Sequence, residues 1–379
     1  MIIMILICGE GLGHTSRCLA LGKEFLAAGH KVHFGAYGYS KKLVEKTGYA
    51  AHKIPSEIVL VGKAGALDFK RSIEATLKNS QILGGPKLLR LIKDTNPDII
   101  FSDSYYLGAL AAFTLRIPIY LITNQSNMEE FFKNRGVFLR ILGGVAKKFY
   151  NKVFEKVDKL IIPDYPLPYT VCTKNLSFTP KLETKLFYSG PLIKETYDEV
   201  EEIPLKKPHI VSLIGGFGYR ELIFKKVLET AKLDPSIHYT LISGPSFNPS
   251  KLFDLPENVQ ILKFIKDTFP YLKSSEIVIA PGGHSTIMEA LSFGIPILSF
   301  PDKEHREQEN NAKVIEEKGY GMMLSYSTTP EVILECIREV LEEDMYRNNT
   351  KRLRRLAGRL RGPNAVREMI EEEISENIY

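Results

Sequence analysis

Short, unbroken apolar runs recur along the chain, and between them apolar residues return at helical spacing. IIMILIC (2–8), KVHFGAY (31–37), DIIFS (98–102), IYLIT (119–123) and KLIIP (159–163) read as buried strands, because their hydrophobicity is continuous rather than alternating. Residues 15–28 fit the first helix: Leu19, Phe25 and Leu26 share a face, and Gly29 stands where a C-terminal cap belongs. Strands alternating with helices predict a parallel sheet covered on both faces.

The texture changes over GPLIKETYDEVEEIPLKKP (190–208), which is polar, charged and proline-bearing and reads as a linker. The alternation then restarts with IVSLIGGFG (210–218), TLISG (240–244), VQIL (259–262), IVIAPGG (277–283) and IPILSFP (295–301). Beyond residue 330 the chain reads as helical, broken at Gly362-Pro363. The pattern predicts two doubly wound, Rossmann-like α/β domains in tandem, 1–193 and 194–363, with a terminal helix (364–379) returning to the first. Ligands of such sheets bind at the carboxyl ends of the strands, so two of them would face an interdomain cleft.

Composition narrows the class. With 379 residues, 44% hydrophobic and 25% charged, the chain is long enough for two cores and ordinary for a soluble protein. A net charge of +5 is too small to argue for nucleic acid, and none is expected. Cys8, Cys18, Cys172 and Cys336 form no CxxC or Cys/His cluster, which predicts neither a zinc site nor a disulfide framework and fits a reducing, cytoplasmic setting. The apolar start lacks a basic flank and runs straight into a glycine turn, so it reads as a strand and not a signal peptide. No stretch is apolar and long enough to span a bilayer.

The loop GEGLGH (9–14) resembles a dinucleotide fingerprint only in part. Position 14 is His rather than Gly, and the second strand ends without an acid for a ribose, which argues against NAD. A histidine on a glycine turn at a strand's carboxyl end suits general-base work; it is also what a surface histidine near a helix start looks like. Asp103, at the end of DIIFS, is placed either to orient His14 or to cap the following helix. Asn124, Gln125, Ser126 and Asn127 offer amides and a hydroxyl after the next strand.

The second half carries a denser pattern. Pro281-Gly282-Gly283 leads through His284-Ser285-Thr286 into a helix, an arrangement whose free N–H groups and dipole favour a phosphate. Glu289 follows one turn in, spaced from Thr286 as a capping box and equally suited to gripping both hydroxyls of a ribose. Gln308 and Asn311 share a face of the next helix and could meet sugar hydroxyls.

These residues, in this order, resemble the donor domain of GT-B glycosyltransferases, most of all family 28. That family includes the bacterial N-acetylglucosaminyltransferase of peptidoglycan-precursor synthesis and plant monogalactosyldiacylglycerol synthases. The resemblance implies an inverting, metal-independent transfer from a UDP-sugar, with no other cofactor. It implies that Phe264 and Ile265 hold uracil through backbone groups, that Gly215, Gly216 and Gly218 approach the phosphates, and that Gly283, His284, Ser285 and Thr286 meet the diphosphate. Glu289 would hold the ribose. Glu307, Gln308 and Asn311 would hold the sugar, with Glu307 standing where a second glutamine is common. His14 matches the family's base and Asp103 the carboxylate that orients it. Gly11, Gly13, Thr15, Asn124 and Gln125 would lie on the acceptor side. Glu10 is an acidic departure in the first loop, and 124–127 matches the family's acceptor motif loosely. Rival readings on the same fold are a UDP-sugar 2-epimerase or hydrolase, and a nucleotide-sugar-binding protein without catalysis.

Two basic stretches remain. Residues 131–159 carry eight Lys or Arg against two acids, interleaved with apolar residues. This fits a helix on the anionic cytoplasmic face of a membrane, as the family's lipid acceptors imply, or a packed helix with a solvated basic face. TKRLRRLAGRLRG (350–362) reads as a solvated helix.

Overall fold

The computed structural model describes residues 1–376 except 10–11, 58–61, 64–65, 68, 79–83, 128–136, 214–219, 244–254, 264 and 266. The chain divides into two compact units: unit 1 is 1–61, 69–194 and 360–379, and unit 2 is 62–68 and 195–359.

Unit 1 is built on a parallel sheet of β1 (Ile2–Ile7), β2 (Lys31–Ala36), β3 (Ala51–Lys53), β6 (Ile99–Asp103), β7 (Ile119–Ile122), β8 (Lys159–Ile162) and β9 (Leu186–Tyr188), in the order β3-β2-β1-β6-β7-β8-β9. The short β4 (Gly62–Lys63) and β5 (Ala66–Leu67), which belong to unit 2, pair antiparallel. The helices between are α1 (Leu12–Ala27), α2 (Gly38–Lys46), α3 (Phe69–Lys78), α4 (Gly85–Thr95), α5 (Tyr106–Leu115) and α6 (Val137–Lys156). From Ile3 to Ile7, β1 is wholly buried, as an unbroken aliphatic run at the centre of a two-sided sheet must be. One face packs Ile3, Ile5 and Phe101 against Cys18, Leu21 and Phe25 of α1; the other packs Met4, Leu6 and Ile100 against Ala109 and Ala112 of α5.

Unit 2 repeats the design. β10 (His209–Leu213), β11 (His238–Ile242), β12 (Val259–Leu262), β13 (Ile277–Ala280), β14 (Ile297–Ser299) and β15 (Gly321–Met323) form a parallel sheet in the order β12-β11-β10-β13-β14-β15. It carries α7 (Glu221–Leu233), α8 (Phe269–Lys273), α9 (His284–Ser292), α10 (Arg306–Glu317), α11 (Pro330–Glu342) and most of α12 (Asp344–Leu360). Arg361, in the left-handed region at φ 47°, breaks the helical run, and α13 (Gly362–Glu376) returns to unit 1. There Val366, Met369 and Ile370 join the α1 face of the core, Arg367 pairs with Glu24, and Tyr120 Oη donates to Glu373.

In each sheet the strand order reverses once, between β1 and β6 and between β10 and β13. The crevice at such a reversal, beyond the carboxyl ends of the strands, is where open α/β sheets take their ligands. In unit 1, Ile7 registers with Asp103, so the loop after β1 lies beside the end of β6. In unit 2, the segment after β13 runs directly into α9.

Several boundaries differ from the sequence reading. α1 begins at Leu12 rather than at 15, so His14 stands in its first turn rather than on the loop before it. β3, β9 and β15 are three-residue edge strands too short to stand out as apolar runs.

Candidate functional site

Each unit carries one candidate site at its reversal point. In unit 1 the site begins with the packing of the first loop. A side chain on Gly9 would put its Cβ 2.4 Å from the Tyr37 ring. That glycine therefore makes room for a tyrosine of its own chain, not for a ligand.

Past the turn, His14 projects from α1 with its side chain 23% exposed. Its Nδ1 lies 2.8 Å from Asp103 Oδ1. Asp103 is fully buried, and its chief partner is Arg17, one helical turn beyond His14. Arg17 donates Nε to Oδ2 and Nη2 to Oδ1 of Asp103, and Nη1 to Asn124 Oδ1 at 3.2 Å; Nη2 also lies 2.9 Å from His14 Nδ1. The Cys18 thiol donates to Asp103 Oδ2 at 3.3 Å. Burial alone would push the Asp103 carboxyl up, but the Arg17 guanidinium and His14 beside it hold it well below the usual carboxylate range. Burial, then Asp103, pushes the Cys18 thiol up, so it stays protonated and donating.

Asp103 is ionised and can only accept, so its 2.8 Å contact with Nδ1 calls for a proton on that nitrogen, although Arg17 Nη2, which has two hydrogens, also lies beside it. Nδ1 therefore carries the proton toward the carboxylate, leaving the lone pair on Nε2. The helix-cap reading of Asp103 does not survive. The cap residue of α5 is Tyr105, and Tyr106 N donates instead to Glu57 at 2.8 Å. Burial pushes the Glu57 carboxyl up to about 7, against the lowering effect of the α5 N–H groups. Nearby, Thr15 Oγ1 and Gln125 Nε2 are buried with no hydrogen-bond partner among the described residues. Gly13 is half-buried in the first turn of α1; Gly11 lies outside the described residues.

In unit 2 the site is built around the start of α9. Its cap residue, Gly283, has ordinary extended geometry (φ −69°, ψ 128°) and no side-chain cap bond, so the Thr286–Glu289 capping box does not form. The two glycines before the helix differ. A Cβ on Gly282 would meet the Gln308 carbonyl oxygen at 2.6 Å, whereas one on Gly283 would meet nothing within 4 Å. Gly282 is required by the approach of α10; Gly283 leaves open space before the helix end. The first-turn N–H groups lack intrahelical acceptors by the geometry of any α-helix. Ser285 and Thr286 are half-buried, and their hydroxyls make no hydrogen bond among the described residues; His284 is buried.

Glu289 follows one turn in. It is partly exposed and makes no hydrogen bond or ion pair among the described residues. Burial, and then the Asp267 charge, pushes its carboxyl up to about 7. Ile265 is half-buried between β12 and α8; Phe264, Gly215, Gly216 and Gly218 lie outside the described residues.

The α10 residues behave differently from their sequence reading. Gln308 is buried: its oxygen accepts from Asp302 N at 3.0 Å, and its Nε2 donates to Asp302 Oδ2 at 3.3 Å. Asn311 is fully buried, with Nδ2 donating to Gly282 O at 3.0 Å and lying 3.4 Å from Glu307 Oε1. The shared face is real, but it points inward. Asn311 pins the glycine turn to α10, which leaves half-buried Glu307 as the residue of the three with surface to offer.

Asp302 anchors the loop before α10 through Arg220 Nε, 3.0 and 3.1 Å from its two oxygens, and through Tyr326 Oη at 2.7 Å. Despite burial, Arg220 holds the Asp302 carboxyl below its usual range. The sequence reading missed Arg17, Arg220 and Asp302. Only Arg17 left a local trace: a charged residue one turn after His14, leading straight into the apolar run Cys18-Leu19-Ala20-Leu21.

On α6 the described residues Val137, Ile141, Val145 and Phe149 are exposed at every fourth position, and exposed Arg140, Lys147, Lys148 and Lys152 flank them. Residues 128–136 of the basic stretch lie outside the described residues. No helix among the described residues is long and apolar enough to cross a membrane.

Comparison with known proteins gives one consistent answer. Residues 211–359 match the glycosyltransferase family 28 C-terminal domain. A Methanosarcina mazei protein described as an "uncharacterized glycosyltransferase" is 73% identical over 376 residues, covering 99% of each chain. The UDP-N-acetylglucosamine–N-acetylmuramyl-(pentapeptide) pyrophosphoryl-undecaprenol N-acetylglucosamine transferase of Alkaliphilus metalliredigens is 24% identical over 392 residues, covering 98% of each chain. Among solved structures, the calicheamicin glycosyltransferase CalG4 superposes with a TM-score of 0.74 over 98% of each chain at 17% identity.

Proposed function

The chain belongs to the glycosyltransferases, as a GT-B enzyme of the family 28 type, and from that premise we propose that it moves a sugar from a UDP-sugar to an acceptor hydroxyl, inverting the anomeric centre without a metal. The observation that carries the donor half is Glu289: a carboxyl without a partner among the described residues, raised to about 7, one turn inside a helix whose first-turn hydroxyls are also without partners among those residues. A ribose diol supplies the two donors that Glu289 lacks. A diphosphate before Gly283 takes the N–H groups and hydroxyls of Ser285 and Thr286, and the positive end of α9 stabilises the charge that develops as it leaves. Backbone groups at 264–265 hold the base. The relative from Alkaliphilus, whose name gives UDP-N-acetylglucosamine as donor, supports uridine. Glu307 offers the sugar a carboxylate acceptor.

The catalytic half belongs to His14. With Nδ1–H held by Asp103, Nε2 takes the acceptor hydroxyl's proton as its oxygen attacks the anomeric carbon. The bond to the diphosphate breaks on the opposite face, and UDP leaves. One displacement gives one inversion.

The α6 face supports a membrane-borne acceptor. An apolar stripe about 18 Å long, flanked by cations, suits an anionic bilayer. Wild-type protein should then sediment with vesicles containing phosphatidylglycerol but not with neutral ones, and Ile141→Glu/Val145→Glu should abolish this. Equal sedimentation of the variant removes α6 as the contact.

The test of the reading as a whole is a thermal-shift screen of nucleoside diphosphates, followed by product analysis with the donor that binds. UDP at one hundred times its Kd should stabilise by about 2.7 kcal/mol. No response to any nucleotide overturns the proposal. An epimer formed from donor alone replaces it with the 2-epimerase reading.

A further inference from the structure

Resting on the reading of His14 as the base, a further inference concerns the residue that makes that base usable. Asp103 is fully buried and ionised. A buried carboxylate facing only a histidine and a thiol would draw a proton onto the imidazole, because an ion pair is the cheapest way to leave a charge out of water. An imidazolium has no lone pair with which to accept the hydroxyl proton. Sequence spacing suggests a two-residue dyad, and taken alone that dyad works against itself.

Arg17 changes this. Its guanidinium is itself buried and engages both oxygens of Asp103, so the carboxylate already has its countercharge before His14 is counted. Nη1 reaches across to Asn124 Oδ1, tying α1 to the segment after β7 as well as to β6. Among the described residues the neutral Cys18 thiol also bonds Asp103 and the Asn124 amide also bonds Arg17, and Asp103 forms no ion pair besides those with Arg17 and His14. We propose that Arg17 is a positioning residue: it neutralises Asp103, so that the carboxylate orients the His14 ring while Nε2 remains an uncharged proton acceptor.

Two variants should move the His14 titration in opposite directions, a result that loss of packing would not produce. Imidazole NMR of isotopically labelled protein, with His14→Ala to assign the resonance, reads the midpoint directly. In Arg17→Met the unneutralised carboxylate should raise it by about 1–3 pH units, and Arg17→Lys should restore most of the change. In Asp103→Asn the guanidinium, deprived of the carboxylate charge and 2.9 Å from Nδ1, should lower it by about one unit or more. If Arg17→Met does not fold, the Asp103→Asn and Arg17→Lys results decide alone. Midpoints that stay with wild type in Asp103→Asn, or in a folded Arg17→Met, overturn the proposal. The measurement uses no nucleotide, so a failed nucleotide screen and a failed titration indict different claims.

Discussion

Replacing Glu289 by glutamine should make the protein more stable and less able to bind its donor. The carboxyl is raised from 4.5 to about 7, chiefly by burial. Between those values the folded state binds the proton more tightly than the unfolded state does. The stability this contributes is complete below pH 4.5 and lost as pH rises through 7. Each tenfold in proton affinity is about 1.4 kcal/mol, so the full loss is at most about 3–4 kcal/mol. Glutamine has the same shape and no charge to desolvate. Chemical or thermal melts at pH 5 and pH 8.5 should therefore show two nearly superimposed proteins at the lower pH. At the higher pH the variant should lead, by up to roughly 6–10 °C in the transition of unit 2. Calorimetric titration with UDP should show the reverse order, a loss of about 1.5–3 kcal/mol or roughly 10- to 100-fold in Kd. Melts that run parallel at both pH values would refute the reasoning. A variant less stable than wild type at pH 8.5 would do so too, since it would reveal a protein partner for the carboxylate.

His14→Ala should lower the rate of UDP release by about 10² or more while leaving UDP affinity unchanged; unchanged turnover removes His14 as the base. Gly282→Ala should cost about 1–3 kcal/mol, because its Cβ meets the Gln308 backbone, whereas Gly283→Ala should melt within about 0.5 kcal/mol of wild type yet bind UDP more weakly. Equal melting temperatures for the two would contradict the packing described. Asp302→Asn removes the carboxylate countercharge from the buried Arg220 guanidinium and should destabilise unit 2 by about 3–5 kcal/mol. The stability Asp302 contributes should hold at neutral pH and disappear only as acid reaches its depressed range.

What the sequence disclosed, and what it hid, follows from the range of each interaction. A central parallel strand such as β1 is buried on both faces, so its aliphatic run announces itself. The start of α9 was legible because glycine, hydroxyl and acid lie within nine consecutive residues. Gln308 and Asn311 show the limit of periodicity. Their spacing establishes that they share a face, but only tertiary contacts decide which way that face points, and Gly282 and Asp302 turn it inward. Gly9 shows another limit: its missing side chain answers to Tyr37, a neighbour unknown until the sheet forms. The Arg220–Asp302 pair joins positions 82 residues apart and had no local signature at all.

The return of α13 has a consequence for how the protein is made. The first unit draws Val366, Met369 and Ile370 into the core that β1 began, so its last pieces leave the ribosome after the whole second unit has been synthesised. The nascent amino-terminal sheet must wait with one flank bare. A fragment ending near residue 194 would therefore expose the apolar surface of α1 to water, and a stop codon just before α13 would damage the beginning of the molecule rather than its end.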